Sequence, residues 1–200
     1  MKKVLALMLA LVMILSLGTV VFAAETNSVA GKPTAAELKI AKAYLKTVEE
    51  SDGKYIQKYA YPGSKFELEP ADESVTMKVL DPVFTKVKDE ETRLTRIDFS
   101  GYLVASSTEE LIVMDLQKGI VLKTKAKKLY AYTDVVVRAE TVENLAELDE
   151  DTYGAIFDYL TELYDEDIAT SLMDNYGPPA DEEGTGEVDK EDGSVEGGTR

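Results

Sequence analysis

Three tyrosines and one aspartate are the residues of this sequence whose types and spacing favour chemistry at a binding site. The alternating pattern in the middle of the chain predicts strands, and four polar residues on these strands could line one concave sheet face: Asp98, Tyr102, Tyr130 and Tyr132. Hydroxyl and carboxyl groups that converge on such a face would bind a small ligand. The alternative is that all four are ordinary core and sheet-surface residues. No motif fixes a catalytic residue, so we assign none.

A partial calcium-loop pattern begins at Asp149. Acidic residues occupy loop positions 1 and 3, but position 12, which requires a bidentate acid, is Leu160. The alternative is a helix N-terminus whose acidic residues complement the helix dipole. Asp149 and Asp151 are therefore the metal candidates. A neighbouring acidic helix surface is either solvated or a weak cation site, and it comprises Asp158, Glu162, Asp165, Glu166 and Asp167.

Two further groups could contact partners. A lysine cluster surrounds a predicted hairpin turn at residues 117–119 and comprises Lys118, Lys123, Lys125, Lys127 and Lys128. These lysines form either a solvated strand face that deters edge pairing or a docking surface for an anionic polymer or for the chain's own acidic tail. Tyr153, Phe157 and Tyr164 share one stripe of a predicted helix. That stripe is either part of the core or, if exposed, a protein-docking site.

Composition excludes several classes of chemistry. The sequence has no Cys and no His, which removes disulfides, thiolate nucleophiles, His-dependent triads and His metal sites. The net charge is −16, and more than half of the acidic residues follow residue 138. An acidic half of this kind repels nucleic acid and anionic lipid, so neither is an expected partner. We expect no cofactor.

The first 23 residues have the layout of a signal peptide. Lys2 and Lys3 precede an apolar run over residues 4–17, and residues 21–23 read Val-Phe-Ala, a typical cleavage site. We therefore expect a secreted, extracellular or cell-envelope protein of a Gram-positive bacterium, with no membrane span after cleavage. The alternative is a retained anchor, because residues 4–24 are long enough to cross a bilayer.

The rest of the pattern predicts one α+β domain over residues 33–177, between a flexible leader (24–32) and a disordered acidic tail (178–200). Thr34 and Glu37 form a capping box that begins the first of two N-terminal helices. Short turns then imply a five-stranded antiparallel meander. The predicted strands cover residues 75–87, 93–105, 110–116, 120–125 and 127–138, and the C-terminal helices cover 141–148, 152–164 and 165–176.

Residues 41–45, 51–56 and 59–66, read with this strand order, resemble the opening of nuclear transport factor 2-like proteins, the superfamily that includes ketosteroid isomerase. The resemblance implies a cone-like domain whose helices close a curved sheet, often around an apolar pocket. In the isomerase relatives, a tyrosine hydroxyl and carboxylic acids perform the chemistry. Such folds serve many functions, so the resemblance implies no single one.

We interpret the chain as a non-enzymatic binding domain for a small ligand or an envelope protein. The first alternative is a pocket-based enzyme or small-molecule carrier of the nuclear transport factor 2-like type. A catalyst would require two convergent polar groups with perturbed pKa values. The second alternative is a calcium-responsive extracellular protein.

The cleavage site generates the first test. We expect exported protein to begin at Ala24, because small residues occupy the positions that signal peptidase reads. N-terminal sequencing of the exported protein measures this directly. A mature species that retains Met1 would contradict cleavage and indicate a membrane anchor.

Overall fold

The computed structural model describes residues 31–66, 74–88 and 94–176. The predicted signal peptide, most of the leader and the predicted tail at 178–200 lie outside these residues. Within them the protein is α+β, with helices, then an antiparallel sheet, then helices. No helix in the described ranges is both long and apolar enough to cross a membrane.

Two helices precede the sheet: α1 (Ala35–Glu49) and α2 (Lys54–Gln57). The predicted capping box at the start of α1 is confirmed. The backbone N–H of Thr34 donates to Glu37 Oε2 (2.7 Å), and the Glu37 N–H donates to Thr34 Oγ1 (3.4 Å). Glu37 also accepts a bond from Lys86 Nζ at 2.7 Å, so the start of α1 is tied to the first strand.

The sheet is a four-stranded meander, in the order β1 (Thr76–Lys88), β2 (Thr95–Ser106), β3 (Leu111–Lys125), β4 (Lys128–Thr141). The predicted meander is confirmed, but the prediction of five strands is wrong. The two strands predicted over 110–116 and 120–125 are one strand, and residues 117–119 lie inside it.

Gly119 explains the error. A Cβ at this position would lie 2.3 Å from Asp98 Oδ1 on the neighbouring strand, so glycine is required by a close approach and not by a turn. The hairpin turn between β3 and β4 is instead formed by Ala126 and Lys127. Their φ values of 50° and 64° lie in the left-handed region that a type I′ turn requires at both central residues.

Helices cover both faces of the sheet. On one face, α1 and α2 pack over a cluster that includes Ile97, Phe99 and Ile120. On the other face, a second cluster around Val104 and Val113 is covered by a 3-10 turn (Leu145–Glu147), α3 (Glu150–Leu163) and α4 (Glu166–Asp174). The helix predicted over 141–148 is therefore wrong. Strand β4 runs to Thr141, and only a single 3-10 turn follows.

The second cluster generates a stability prediction. Leu160 is fully buried against the sheet, whereas Leu163 on the same helix is 36 % exposed. We expect Leu160→Ala to lower the free energy of unfolding by about 2–5 kcal/mol and Leu163→Ala to lower it by less than about 1 kcal/mol. Urea denaturation of both variants measures the difference. A Leu160→Ala cost below about 0.5 kcal/mol would show that α3 is peripheral.

Candidate functional site

The chain after α2 returns to the outer edge of β4 and forms one wall of a cleft. The Tyr61 N–H donates to the Ala131 carbonyl (2.6 Å), and the Ala131 N–H donates to the Tyr59 carbonyl (2.8 Å). Gly63, at φ 98°, then turns the chain. The Phe66 N–H donates to Gln57 Oε1 at 2.9 Å. Both ends of segment 61–66 are therefore held, one by the sheet and the other by α2.

A cleft of about 660 Å³ lies between segment 61–66 and residues 132–134 of β4. We call it the β4 cleft. Its lining is largely polar, with Ser64, Lys65 and Asp134 beside the rings of Tyr61 and Tyr132.

Tyr132 reaches this cleft because of a β-bulge. In the pairing of β3 with β4, Val121 lies opposite Thr133 and Leu122 lies opposite Ala131, so Tyr132 is the extra residue. Bulges redirect a side chain away from regular alternation. The bulge places the Tyr132 ring edge-on to Tyr61, with ring centroids 5.8 Å apart.

A buried network of three polar residues lies behind the β4 cleft and consists of Lys118, Asp134 and Tyr44. We call it the buried triad. Tyr44 Oη donates to Asp134 Oδ2 at 2.8 Å, and Lys118 Nζ lies 5.7 Å from the centroid of the Tyr44 ring. Lys118 is 0 % exposed, Tyr44 1 % and Asp134 5 %. Of the three, Asp134 contributes to the lining of the cleft.

Burial perturbs the protonation of all three groups. Burial lowers the pKa of Lys118 to about 8, although the charge of Asp134 opposes this shift. Burial likewise raises the pKa of Asp134, against the influence of Lys118 and of the Tyr44 hydrogen bond. The Tyr44 pKa is raised well above its usual value by burial and by Asp134. Tyr44 therefore stays protonated and acts as the donor.

The prediction that Lys118 belongs to an exposed lysine cluster is wrong. On β3, Leu116, Lys118 and Ile120 share the face that α1 covers, because alternate residues of a strand point to the same side. The misplaced turn at residues 117–119 hid this alternation. A continuous strand over residues 111–125 would have placed Lys118 in the core from the sequence alone.

The other lysines of the cluster lie at the far end of the sheet. Three of them and three tyrosines form one surface, which we call the Lys–Tyr surface: Lys123, Lys125, Lys128, Tyr61, Tyr130 and Tyr132. Lys123 Nζ lies 3.2 Å from the Tyr132 ring centroid. Tyr61 and Tyr132 also line the β4 cleft, so the cleft and the surface are continuous.

The structure does not bring the four predicted site residues together. Tyr130 and Tyr132 meet around Tyr61, at 6.0 and 5.8 Å between ring centroids. Tyr102 instead packs in the second cluster and lines a separate cleft of about 280 Å³. Asp98 is buried and accepts two hydrogen bonds from Arg96, at 2.6 and 2.8 Å. Its carboxylate is therefore engaged in an internal ion pair and is not exposed to a ligand.

Asp149 and Asp151 lie at the N-terminus of α3, where they stabilise the start of the helix. Asp149 is the N-cap of α3 and accepts from the Thr152 N–H (2.8 Å) and from Thr152 Oγ1 (2.8 Å). These bonds lower the pKa of its carboxyl. Asp151 lies in the first turn of the helix. Across residues 31–66, 74–88 and 94–176, no group of three acidic, His or Cys residues is placed to hold a metal ion.

The predicted docking stripe on α3 is mostly packed. Tyr153 is 39 % exposed, but Phe157 and Tyr164 pack against the second cluster. Tyr164 Oη also lies 3.1 Å from Ser106 Oγ on β2, within hydrogen-bond distance. The stripe therefore attaches α3 to the sheet and leaves only Tyr153 available to a partner.

Comparison of the chain with protein-family models, with curated proteins and with solved structures found no match. The resemblance to nuclear transport factor 2-like proteins therefore remains a prediction.

The buried triad generates a mutational prediction. Lys118→Met or Asp134→Asn alone leaves the other charge buried without its partner, and we expect each to lower the free energy of unfolding by about 3–5 kcal/mol. The double variant should lose clearly less than the two single losses combined, because a neutral pair remains. Urea denaturation of the four proteins at neutral pH measures this. Losses that simply add would contradict an interaction between the two residues.

The pH dependence provides the control for that experiment. The pKa of Lys118 is about 8 in the folded state, against a reference value of 10.5, so the unfolded chain binds more protons between these values. The free energy of unfolding of the wild type should therefore rise relative to Lys118→Met as the pH increases above about 8. The pKa of Tyr44 is raised in the folded state, so this residue lowers the free energy of unfolding only above about pH 10, where the tyrosine of the unfolded chain ionises. A constant difference between pH 8 and 10 would contradict a protonated, buried Lys118.

Proposed function

We propose that this chain is an exported bacterial envelope or extracellular protein that binds a small ligand in the β4 cleft without catalysing a reaction. Export is supported by the signal-peptide layout of residues 1–23. Binding is supported by a cleft of about 660 Å³, which lies within the size range of small-molecule sites.

The position of Asp134 is the observation that carries this proposal. Its carboxyl lines the β4 cleft and at the same time accepts the Tyr44 hydrogen bond and interacts with the charge of Lys118. Burying opposite charges costs desolvation energy and seldom adds stability over apolar residues. Such a pair at the wall of a cleft is better explained by a fixed acceptor for a ligand than by a role in stability.

The arrangement favours binding over catalysis. Lys118 and Tyr44 are closed off from solvent, and the Tyr44 hydroxyl proton is already donated to Asp134. Acid–base catalysis requires groups within hydrogen-bond reach of the substrate. Of the buried triad, Asp134 alone lines the cleft, while the rings of Tyr61 and Tyr132 provide walls that a ligand can pack against.

A second candidate is a pocket-based enzyme or carrier of the nuclear transport factor 2-like type. The observation in its favour is that three groups with perturbed pKa values meet in one network, a pattern typical of catalytic sites. An enzyme of this kind would require the wall of the cleft to open, so that Lys118 or Tyr44 could reach a substrate.

Amide chemical-shift mapping tests the cleft. We expect small polar probes, such as glucuronate and N-acetylglucosamine, to shift the backbone amides of segment 61–66 and of residues 132–134 in the ¹⁵N-labelled full chain. Tyr61→Ala removes one wall and should weaken these shifts, whereas Tyr153→Ala on α3 should leave them unchanged. Shifts that cluster elsewhere, or no saturable shifts at millimolar probe, would contradict a ligand site in the β4 cleft.

A further inference from the structure

The Lys–Tyr surface extends from the β4 cleft to the tip of the β3–β4 hairpin. Its cations lie on adjacent strands, with Lys123 and Lys125 on β3 and Lys128 on β4. Within the part of the chain that the structure describes, none of the three has a carboxylate partner within ion-pair distance. The surface is therefore a local concentration of positive charge on a protein whose net charge is −16.

Two features of this hairpin are unfavourable for stability. Lys125 lies directly opposite Lys128 in the pairing of β3 with β4, and like charges at facing positions destabilise a sheet. The turn also places Ala126 and Lys127 at positive φ, where residues other than glycine are strained. Of the two, the repulsion between Lys125 and Lys128 is the one that a bound anion would relieve.

The cations of this surface are held close to aromatic rings. Lys123 Nζ lies 3.2 Å from the ring centroid of Tyr132, and Lys125 Nζ lies 5.4 Å from that of Tyr61. Lys128 Nζ lies 5.1 Å from the ring centroid of Tyr130. Cation–π attraction restricts a side chain that would otherwise be mobile, so less conformational entropy is lost when an anion binds.

We propose that the Lys–Tyr surface binds an anionic glycan polymer, whose sugar rings pack on the tyrosines and whose carboxylate or phosphate groups pair with Lys123, Lys125 and Lys128. This inference rests on the proposed function, because Tyr61 and Tyr132 belong to both the surface and the β4 cleft. One sugar unit would occupy the cleft, and the units that follow would extend along the hairpin.

The chemistry of the surface favours a glycan over other polyanions. All of its cations are lysines, which act as point charges, and the surface lacks the planar arginine fork that pairs with phosphate in a bidentate manner. A nucleic acid duplex carries one negative charge per about 1.7 Å of its axis, and three lysines neutralise only a small part of that charge density. A glycan carries its charges at intervals, between neutral ring faces and hydroxyls that the three tyrosines can contact.

Binding of defined polymers to the full chain tests the proposal. The probes are polygalacturonate and phosphorylated mannan as anionic glycans, dextran as a neutral glycan, and poly-L-glutamate and single-stranded DNA as other polyanions. We expect an anionic glycan to bind and dextran not to bind. Replacing Lys123, Lys125 and Lys128 together by Gln should weaken binding by about tenfold or more, as the loss of three exposed ion pairs implies. Added salt should weaken wild-type binding.

A charge-matched variant provides the control. Lys39, Lys42 and Lys46 are exposed residues of α1. This helix packs on the sheet face of Leu122, whereas Lys123 and Lys125 alternate with Leu122 along β3 and lie on the opposite face. Replacing these three α1 lysines by Gln removes equal charge and should leave binding unchanged. An equal loss in both triple variants would overturn the surface as the site. Binding of poly-L-glutamate or single-stranded DNA as tight as that of the glycans would overturn the glycan assignment.

The two proposals fail in different ways. If glucuronate shifts the amides of the β4 cleft but neither anionic glycan binds, the inference about the Lys–Tyr surface is wrong, whereas the proposal of a small-ligand site in the β4 cleft is supported. If a glycan binds in a manner that depends on Lys123, Lys125 and Lys128 while the cleft amides do not respond to any probe, the cleft is wrong as the ligand site.

Discussion

The burial of Lys118 is the constraint on which the described fold most depends. This residue occupies a core position of β3 between Leu116 and Ile120, under the ring of Tyr44 from α1. Its charge requires an anion nearby, and Asp134 from β4 provides it. Tyr44 in turn donates to Asp134. One polar network thereby fixes the positions of a helix and two strands relative to one another. An apolar side chain at position 118 would make no such directional contacts.

The same network connects the core to the surface. Asp134 lies two residues beyond the bulged Tyr132 on β4, so the strand that holds the buried carboxylate also carries the aromatic wall of the β4 cleft. Backbone pairing with the chain at Tyr59 and Tyr61 closes the outer edge of β4 and positions the opposite wall. The cleft is therefore built from a bulge, an edge pairing and a buried ion pair, each of which restricts the other two.

The sequence predicted those parts of the fold that depend on local interactions. The capping box at Thr34 and Glu37, the antiparallel meander and the amphipathic stripe with Leu160 all follow from short-range spacing. The role of Gly119 could not be predicted in this way, because glycine is required there by the close approach of Asp98 on the neighbouring strand. The turn at Ala126 and Lys127 contains no glycine or asparagine and so lacks the usual hairpin signal. The pairing of Asp134 with Tyr44, which are 90 residues apart, leaves no local signal at all.

The acidic charge of this protein and its basic hairpin can coexist because the sheet separates them. The acidic helices α3 and α4 pack around Val113, near one end of β3, whereas Lys125 lies at the other end. About twelve residues of extended chain separate the two positions, or about 40 Å along the strand. This distance is several times the Debye length of about 8 Å at physiological ionic strength. The acidic helices therefore neutralise little of the potential at the hairpin. An anionic ligand would be repelled at the end of the sheet where α3 and α4 pack and attracted at the end that carries the Lys–Tyr surface, which restricts the direction of its approach.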